Sequence, residues 1–461
     1  MSTLLHIGLG SFHRAHQAVY LHRLRERGDL SWAIVGGNLR DDMQGTMRAL
    51  AAQGGAYVLE TVTPEGIRRY ERITAIERVI PYAADGAGLI AAGADPATRI
   101  VSFTVTEAGY YLDAKDRLDL AFPDLAADVD AAREGRPGST LYAALTAILR
   151  ARKAANSGAL TLLCCDNLRH NGDRSRSALL QFIALVGDDE LCRWVETNTS
   201  SPNAMVDRIT PMPTADVAER VKTATGWDDA APVMAESFIQ WVIEDRFIAG
   251  RPAWENVGVE MVDSVEPYEE AKIRILNASH SCIAWAGTLV GKTYIHEGTH
   301  DPVIRGFAHD YVTDDVIPAL SPSPIDLAAY RDVVLDRFGN PAILDTNQRV
   351  AMDAFSKIPG FIAPTLRERL SRNEAIASTA MLPALFLAYL QRAYRGQLPY
   401  DYRDQAMDPQ AARAICEAAD PVAAFCANPV LWGPIAGDPR LVAAVQSASD
   451  RVRQFSSKES P

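Results

Sequence analysis

Residues 4–16 read LLHIGLGSFHRAH. An apolar run over Leu4–Gly8 enters Gly8-x-Gly10, and a helical pattern follows over Ala15–Arg27. A strand that ends in Gly-x-Gly before a helix suits the phosphate-binding turn of a dinucleotide fold. The first glycine allows the tight turn, and the second lets backbone N–H groups approach a pyrophosphate. The third glycine of that fingerprint would fall at position 13, where His13 stands. By themselves, two glycines fit a cofactor turn and a structural turn equally.

The surrounding pattern supports a parallel sheet. Trp32–Gly36, Arg99–Val105 and Leu160–Cys165 are short apolar runs of strand length, and Thr140–Ala155 is an amphipathic helix between the last two. Strands alternating with helices predict an α/β class, a Rossmann-type mostly parallel sheet with helices on both faces. A last strand is expected over Val257–Met261, followed by Pro267, a good first residue for a helix. Beyond it, 268–291, 326–338 and 380–396 all read as helices. The expected division is therefore a dinucleotide-binding domain over 1–262 and a mainly helical substrate-binding and catalytic domain over 263–461. The tail SSKESP is expected to be disordered.

Bulk properties exclude several classes. The 461 residues are 48% hydrophobic and 23% charged, with a net charge of −12. That is ordinary soluble composition. Its sign repels nucleic acid and anionic membrane surfaces. No apolar run is long enough to span a bilayer, and no leader precedes the first strand. Six cysteines with no CxxC pair suit a reduced, cytoplasmic chain.

One helix carries an unusual polar face. At about 100° per residue, with Lys272 at zero, Glu269 falls near 60°, His280 near 80° and Asn277 near 140°. Apolar Ile273, Ile275 and Leu276 surround them. A lysine among apolar neighbours loses solvation and its pKa falls, which suits a general base. An amide can hydrogen-bond a developing alkoxide. The same residues also suit a solvated helix face. Asn167 follows the strand ending at Cys165, at the edge where open α/β sheets place ligands. Asp207 and Arg208 sit in a loop-like setting before Pro211, and Arg349 and Lys357 lie eight apart on an expected helix. Asn38 stands where the second strand should carry a ribose-binding acid, with Arg40, Asp41 and Asp42 just beyond. Two short matches compete. Tyr268-x-x-x-Lys272 fits the pair of short-chain dehydrogenases. HEGTH, His296–His300, fits the HExxH of zinc hydrolases. Gly298 weakens that helix, and no glutamate follows Glu297 before Glu368.

Taken together, GLGSFHRAH, TVTEAGYY, CDNLRHNG, PNAMVDRITP and YEEAKIRILNASH, in this order along nearly the whole chain, resemble the polyol-specific long-chain dehydrogenases, the mannitol dehydrogenase family. The resemblance implies NAD-dependent oxidation of an acyclic polyol to a ketose without a metal. Within the family, KIRILNASHSCIAWAGTL and DTNQRVAMDAFSKIP are most like members that convert D-arabinitol to D-xylulose; D-mannitol to D-fructose is the alternative. By resemblance, Lys272 is the general base, Asn167 and Asn277 hold the oxygen, His280 orients substrate and lysine, and Glu269 lies on a proton path. Asp207, Arg349 and Lys357 bind polyol hydroxyls. Gly8, Gly10, Phe12, His13, Arg14, Asn38, Asp41, Asp42, Thr106 and Glu107 serve the cofactor, with Arg14 adding a charge contact to phosphate. The family's NAD-selecting aspartate lies just past the equivalent of Arg40. Direct counting puts Met43 there, with Asp41 and Asp42 immediately before. The resemblance favours a monomer.

Overall fold

The computed structural model describes residues 1–105, 107–113 and 115–457. The chain divides into two compact units: Met1–Thr63 with Ile67–Glu266, and Pro64–Gly66 with the chain from Pro267 onward.

Twelve strands occur among the described residues, all in the first unit. They are β1 Ser2–Ile7, β2 Trp32–Gly37, β3 Tyr57–Val62, β4 Arg68–Ile73, β5 Ile76–Val79, β6 Thr98–Phe103, β7 Leu160–Cys164, β8 Thr199–Ser200, β9 Ala204–Asp207, β10 Val233–Glu236, β11 Gln240–Glu244 and β12 Glu260–Val262. Six form one sheet in the order β5-β2-β1-β6-β7-β8, and every pairing in it is parallel. Strand alternation sorts its side chains onto two faces. Leu4, Ile34, Ile100 and Leu163 enter one apolar cluster. Their neighbours Leu5, Val35, Val101 and Leu162 enter another. Both faces are covered, as parallel sheets require. The chain winds outward from β1 through β2 to β5, then returns to β6 on the other side of β1. The strand order therefore reverses between β1 and β6, the place where such sheets bind ligands.

Two three-stranded sheets complete this unit, β10-β3-β4 and β12-β11-β9. The strand expected over Val257–Met261 is displaced. Trp254–Val257 is a 3-10 turn, and only Glu260–Val262 is extended, beside β11 rather than in the parallel sheet. The helix expected over Ala15–Arg27 runs over Gln17–Glu26, and a separate short helix, Ser11–Ala15, precedes it with a break at His16. That ring reaches the Gln240 carbonyl at 2.8 Å and stacks on Phe12, so tertiary contacts set the break.

The second unit is helical. Helices Leu327–Phe338 and Met381–Tyr394 occupy the expected stretches, the first capped by Asp326, which accepts from the Ala329 amide. Ser456 and Ser457, expected in a disordered tail, end the helix Pro439–Ser457.

Candidate active site

The glycine turn stands at the end of β1. Gly8 has φ +104°, and a Cβ there would lie 2.1 Å from the Thr104 carbonyl oxygen, so only glycine fits. Its carbonyl accepts from Thr104 Oγ1 (3.0 Å) and His6 Nε2 (3.1 Å). Gly10 differs. Its φ of −79° suits any residue. A Cβ would meet only the Gly8 carbonyl oxygen, at 3.9 Å. His13 takes the place of the missing third glycine by stacking on His6, ring centroids 3.4 Å apart and 15° from parallel. Both rings are wholly buried, and neither nitrogen of His13 meets a partner at hydrogen-bond geometry. Burial pushes His6 down to about 3, against a smaller opposing pull from the Gly8 carbonyl. Burial, then the His6 charge, lowers His13 well below the usual histidine range. The stack is neutral near pH 7.

Arg14 corrects the expected phosphate contact. Its guanidinium is buried, donates to the Ala231 carbonyl at 2.5 Å and lies over the Tyr57 ring. Phe12 is half-buried against His16. Asn38 turns inward at the end of β2, where its Oδ1 accepts the Leu9 amide at 2.7 Å and braces the glycine turn. Asp41 and Asp42 follow in an exposed turn. Glu107 opens the 3-10 turn Glu107–Tyr110, and Thr106 lies outside the described residues.

Asn167 is exposed at the carboxyl end of β7. Its loop is held on either side. Asp166 Oδ2 accepts from the Val105 amide (2.8 Å) and Tyr110 OH (2.5 Å). Buried Asn171 donates to the Asp166 and Ala204 carbonyls and accepts the Ala204 amide. Asp207, expected in a loop, is instead the last residue of β9, in register with Gln240 and 5% exposed. Arg208 is also internal. Its guanidinium bonds the Glu236 and Ala15 carbonyls. Burial, reinforced by the Arg23 charge, pushes it down to about 10.

In the helical unit, one continuous segment carries Glu269, Lys272, Asn277 and His280. It is an α-helix over Glu266–Ala271, a π-helix over Lys272–Asn277 and an α-helix again over Ala278–Leu289. A π turn bonds i to i+5 and so rotates less per residue than an α-helix, which brings residues five apart nearer to one face, and such turns recur at functional sites. Lys272 and Asn277 are thereby drawn together, where α-helical spacing would hold them about 140° apart. The Arg274 carbonyl inside the π turn accepts Tyr311 OH at 2.8 Å. Glu269 is 5% and Lys272 8% exposed, and Asn277 is half-buried.

His280 is held from two sides. Its ring stacks on Phe338 (centroids 4.4 Å, 17°), and its Nε2 faces Asp345 Oδ2 at 3.4 Å. Arg349 binds the same carboxylate, with Nε 2.6 Å from Oδ1 and Nη2 on Oδ2. Burial opposes ionisation of Asp345, but the contacts with His280 and Arg349 outweigh it and hold the acid well below the usual carboxylate range. Burial lowers His280 in spite of Asp345, assisted by the charges of Arg349 and Lys357. Arg349 and Lys357 do not share the expected single helix. Asn347–Ala351 and Ala354–Lys357 are separated at Asp353, whose φ is +56°. Lys357 Nζ donates to the Val350 carbonyl at 2.8 Å. Asp345 and Phe338 were not among the expected residues; the Asp345/Arg349 spacing of four was the available signal.

HEGTH forms a short helix, Ile295–His300. The Glu297 carboxylate accepts the Thr293 and Tyr294 amides, each at 2.8 Å, so it caps the helix. Among the described residues one trio of ligand-type groups converges, His22, Glu26 and Glu71. There Nδ1 of His22 accepts the Thr74 amide, which leaves Nε2 protonated toward the two carboxylates rather than free for a metal.

A family model described as the mannitol dehydrogenase Rossmann domain matches residues 2–256, and one described as the mannitol dehydrogenase C-terminal domain matches residues 264–453. The chain belongs to the mannitol dehydrogenase family. It is thus an oxidoreductase of the polyol dehydrogenase class, with the parallel-sheet and helical architecture that its motifs implied. This mannitol dehydrogenase family chain is 63% identical over 455 residues to D-arabinitol 4-dehydrogenase of Ralstonia nicotianae, covering 98% of this chain and 97% of that protein. It is 55% identical over 444 residues to D-arabinitol 4-dehydrogenase of Klebsiella pneumoniae, covering 96% of each. Among solved structures, mannitol 2-dehydrogenase of Pseudomonas fluorescens, in ternary complex with NAD and D-mannitol, matches with a TM-score of 0.82 at 35% identity, over 99% of this chain and 93% of that one.

Proposed function

We propose that this enzyme oxidises D-arabinitol to D-xylulose with NAD, using Lys272 as general base and no metal. The observation that carries the reading is Lys272 itself, 8% exposed on a π turn that ends at Asn277. The names of the two D-arabinitol 4-dehydrogenases support the substrate.

The glycine turn fits the cofactor. Nothing in the fold requires glycine at Gly10, where a Cβ would make only an ordinary contact, at 3.9 Å, with the Gly8 carbonyl oxygen. Its absence leaves the room a pyrophosphate needs to approach the backbone. The first amides of Ser11–Ala15 have no intrahelical acceptor and point the same way along the chain. Asn38 shapes this turn through Leu9, and exposed Asp41 and Asp42 suit ribose hydroxyls and oppose a 2′-phosphate. Phe12 and His13 support the turn from within. Thr106 and Glu107 are assigned to the cofactor by family resemblance.

Bound NAD supplies the acceptor for the hydride that leaves the carbinol carbon. Lys272 Nζ receives the hydroxyl proton, and burial favours the neutral amine that this requires. Asn277 and Asn167 donate amide hydrogens to the oxygen as charge grows on it. Glu269 passes the proton onward. Asp207, Arg349 and Lys357 bind the remaining hydroxyls, and Arg349 still has Nη1 to offer once Nε and Nη2 are on Asp345. We assign the enzyme to the cytoplasm as a monomer acting on free polyol. Its six cysteines, none of them in a disulfide, accord with a reducing compartment.

Lys272→Ala is expected to lower kcat on D-arabinitol by about 10²- to 10⁴-fold, with the NADH dissociation constant unchanged. Wild-type turnover in that variant would overturn the mechanism. A second reading, D-mannitol to D-fructose, draws on the D-mannitol complex of the structural neighbour. Comparing kcat/KM on the two polyols decides between them.

A further inference from the structure

Asp345 sits in the loop before the helix Asn347–Ala351, and its backbone is fixed at both ends. Its amide donates to the Ile343 carbonyl at 2.8 Å, and its carbonyl accepts the Ile295 amide at 2.9 Å. The side chain is 8% exposed. One carboxylate thus faces two of the proposed functional residues: His280 Nε2 on Oδ2, and Arg349 through Nε and Nη2. Phe338 fixes the plane of the His280 ring. Stacking leaves rotation within that plane free, and the Asp345 contact removes it.

The carboxylate also sets the tautomer. An ionised carboxylate only accepts, so the nitrogen facing it carries the proton. His280 is then an Nε2–H imidazole whose Nδ1 presents a lone pair. That nitrogen can accept a hydrogen bond from a substrate hydroxyl or from the Lys272 amine. The opposite tautomer would present a donor there. A carboxylate behind a functional histidine acts in this way generally, fixing ring and tautomer together.

We propose that Asp345 is a positioning residue that fixes His280 as the Nε2–H tautomer and holds Arg349 in place on the same carboxylate. The proposal rests on the dehydrogenase reading above. An asparagine in its place keeps the shape but accepts at only one of the two oxygen positions: its N–H₂ group either faces Arg349 Nε or, in the other orientation, faces His280 and obliges Nε2 to become the acceptor.

The test is a double-mutant analysis of the intact enzyme with D-arabinitol and NAD. Asp345→Asn should lower kcat by on the order of 10- to 100-fold, as loss of an outer partner typically does, and raise KM, while the NADH dissociation constant stays unchanged. In the His280→Ala background the kcat effect of Asp345→Asn should vanish, and in the Arg349→Ala background the KM effect should vanish. The same fold-loss in every background would overturn the proposal, as would full activity of Asp345→Asn. Neither result would touch the dehydrogenase reading, which fails only if Lys272→Ala stays active. Histidine-selective ¹⁵N NMR of the unmodified enzyme, with His280→Gln to assign the signal, covers the case of a variant that does not fold. An Nε2–H signal for His280 supports the proposal, and an Nδ1–H signal overturns it.

Discussion

Gly8 and Thr104 touch so closely that a Cβ on Gly8 would lie 2.1 Å from the Thr104 carbonyl oxygen. Two residues later a Cβ on Gly10 would meet only the Gly8 carbonyl oxygen, at an unstrained 3.9 Å. The two glycines of one motif therefore answer to different demands. Gly8 lets β1 and β6 meet at the reversal of strand order, and Gly10 leaves room for something outside the protein. Gly8→Ala is expected to cost about 1–3 kcal/mol from its backbone conformation alone, with the contact adding to it. Gly10→Ala should melt within a degree or two of wild type and bind NADH at least tenfold more weakly. Thermal melts with NADH titrations check both; an unfolded Gly10→Ala, or one with native affinity, would refute the division of labour.

The buried His6–His13 stack makes stability depend on acidity in a defined direction. Both rings stay neutral when folded and titrate near 6.5 when unfolded, so below that pH the unfolded chain binds protons that the folded chain does not. Stability accordingly falls as pH drops from 6.5 toward about 3, the value for His6. At pH 5 the loss is ~2 kcal/mol for His6, and His13 adds to it in the same direction. His13→Phe keeps a stacked ring and removes one titration, so urea unfolding between pH 7 and 5 should lose about one proton of pH dependence. An unchanged slope would show that His13 titrates normally.

Cofactor choice is expected to rest on the exposed turn after β2. Replacing Asp41 and Asp42 together by alanine removes two negative charges from a turn that also carries Arg40. The ratio of kcat/KM for NADP to that for NAD should rise by about tenfold or more, since 1.4 kcal/mol of relieved repulsion is a factor of ten. A ratio that stays put would move NAD selection elsewhere.

Glu297 offers a test of metal independence. Because its carboxylate caps a helix, Glu297→Ala should lower stability by about 1 kcal/mol and leave turnover intact, and dialysis against a chelator should leave the wild type fully active. Loss of activity in either experiment, with zinc found by elemental analysis, would revive the hydrolase-type reading of HEGTH.

The parallel core strands were legible because burial on both faces makes them short apolar runs. Strand β4, RRYERI, was not, since an edge beside β3 tolerates charge at nearly every position. Arg14 was misread for a different reason. Nothing local to HRAH tells that its guanidinium reaches a carbonyl at Ala231, over two hundred residues away. Lys272, Asn277 and His280 were found by assuming ideal helical periodicity, and that assumption concealed the π turn that draws the first two together. Asp345 stayed hidden because its meaning depends on His280, a partner that no spacing rule connects to it.

The π turn at Lys272–Asn277 means that this helix carries one residue more than regular hydrogen bonding needs. Deleting a residue such as Ile273 would let the segment close into uninterrupted α-helix, a gain in local regularity. It would also abolish the π-turn geometry that now sets how Lys272 and Asn277 stand to one another. Stability and turnover pull in opposite directions at this one place, so selection for thermal robustness alone would tend to discard the residue on which the chemistry depends.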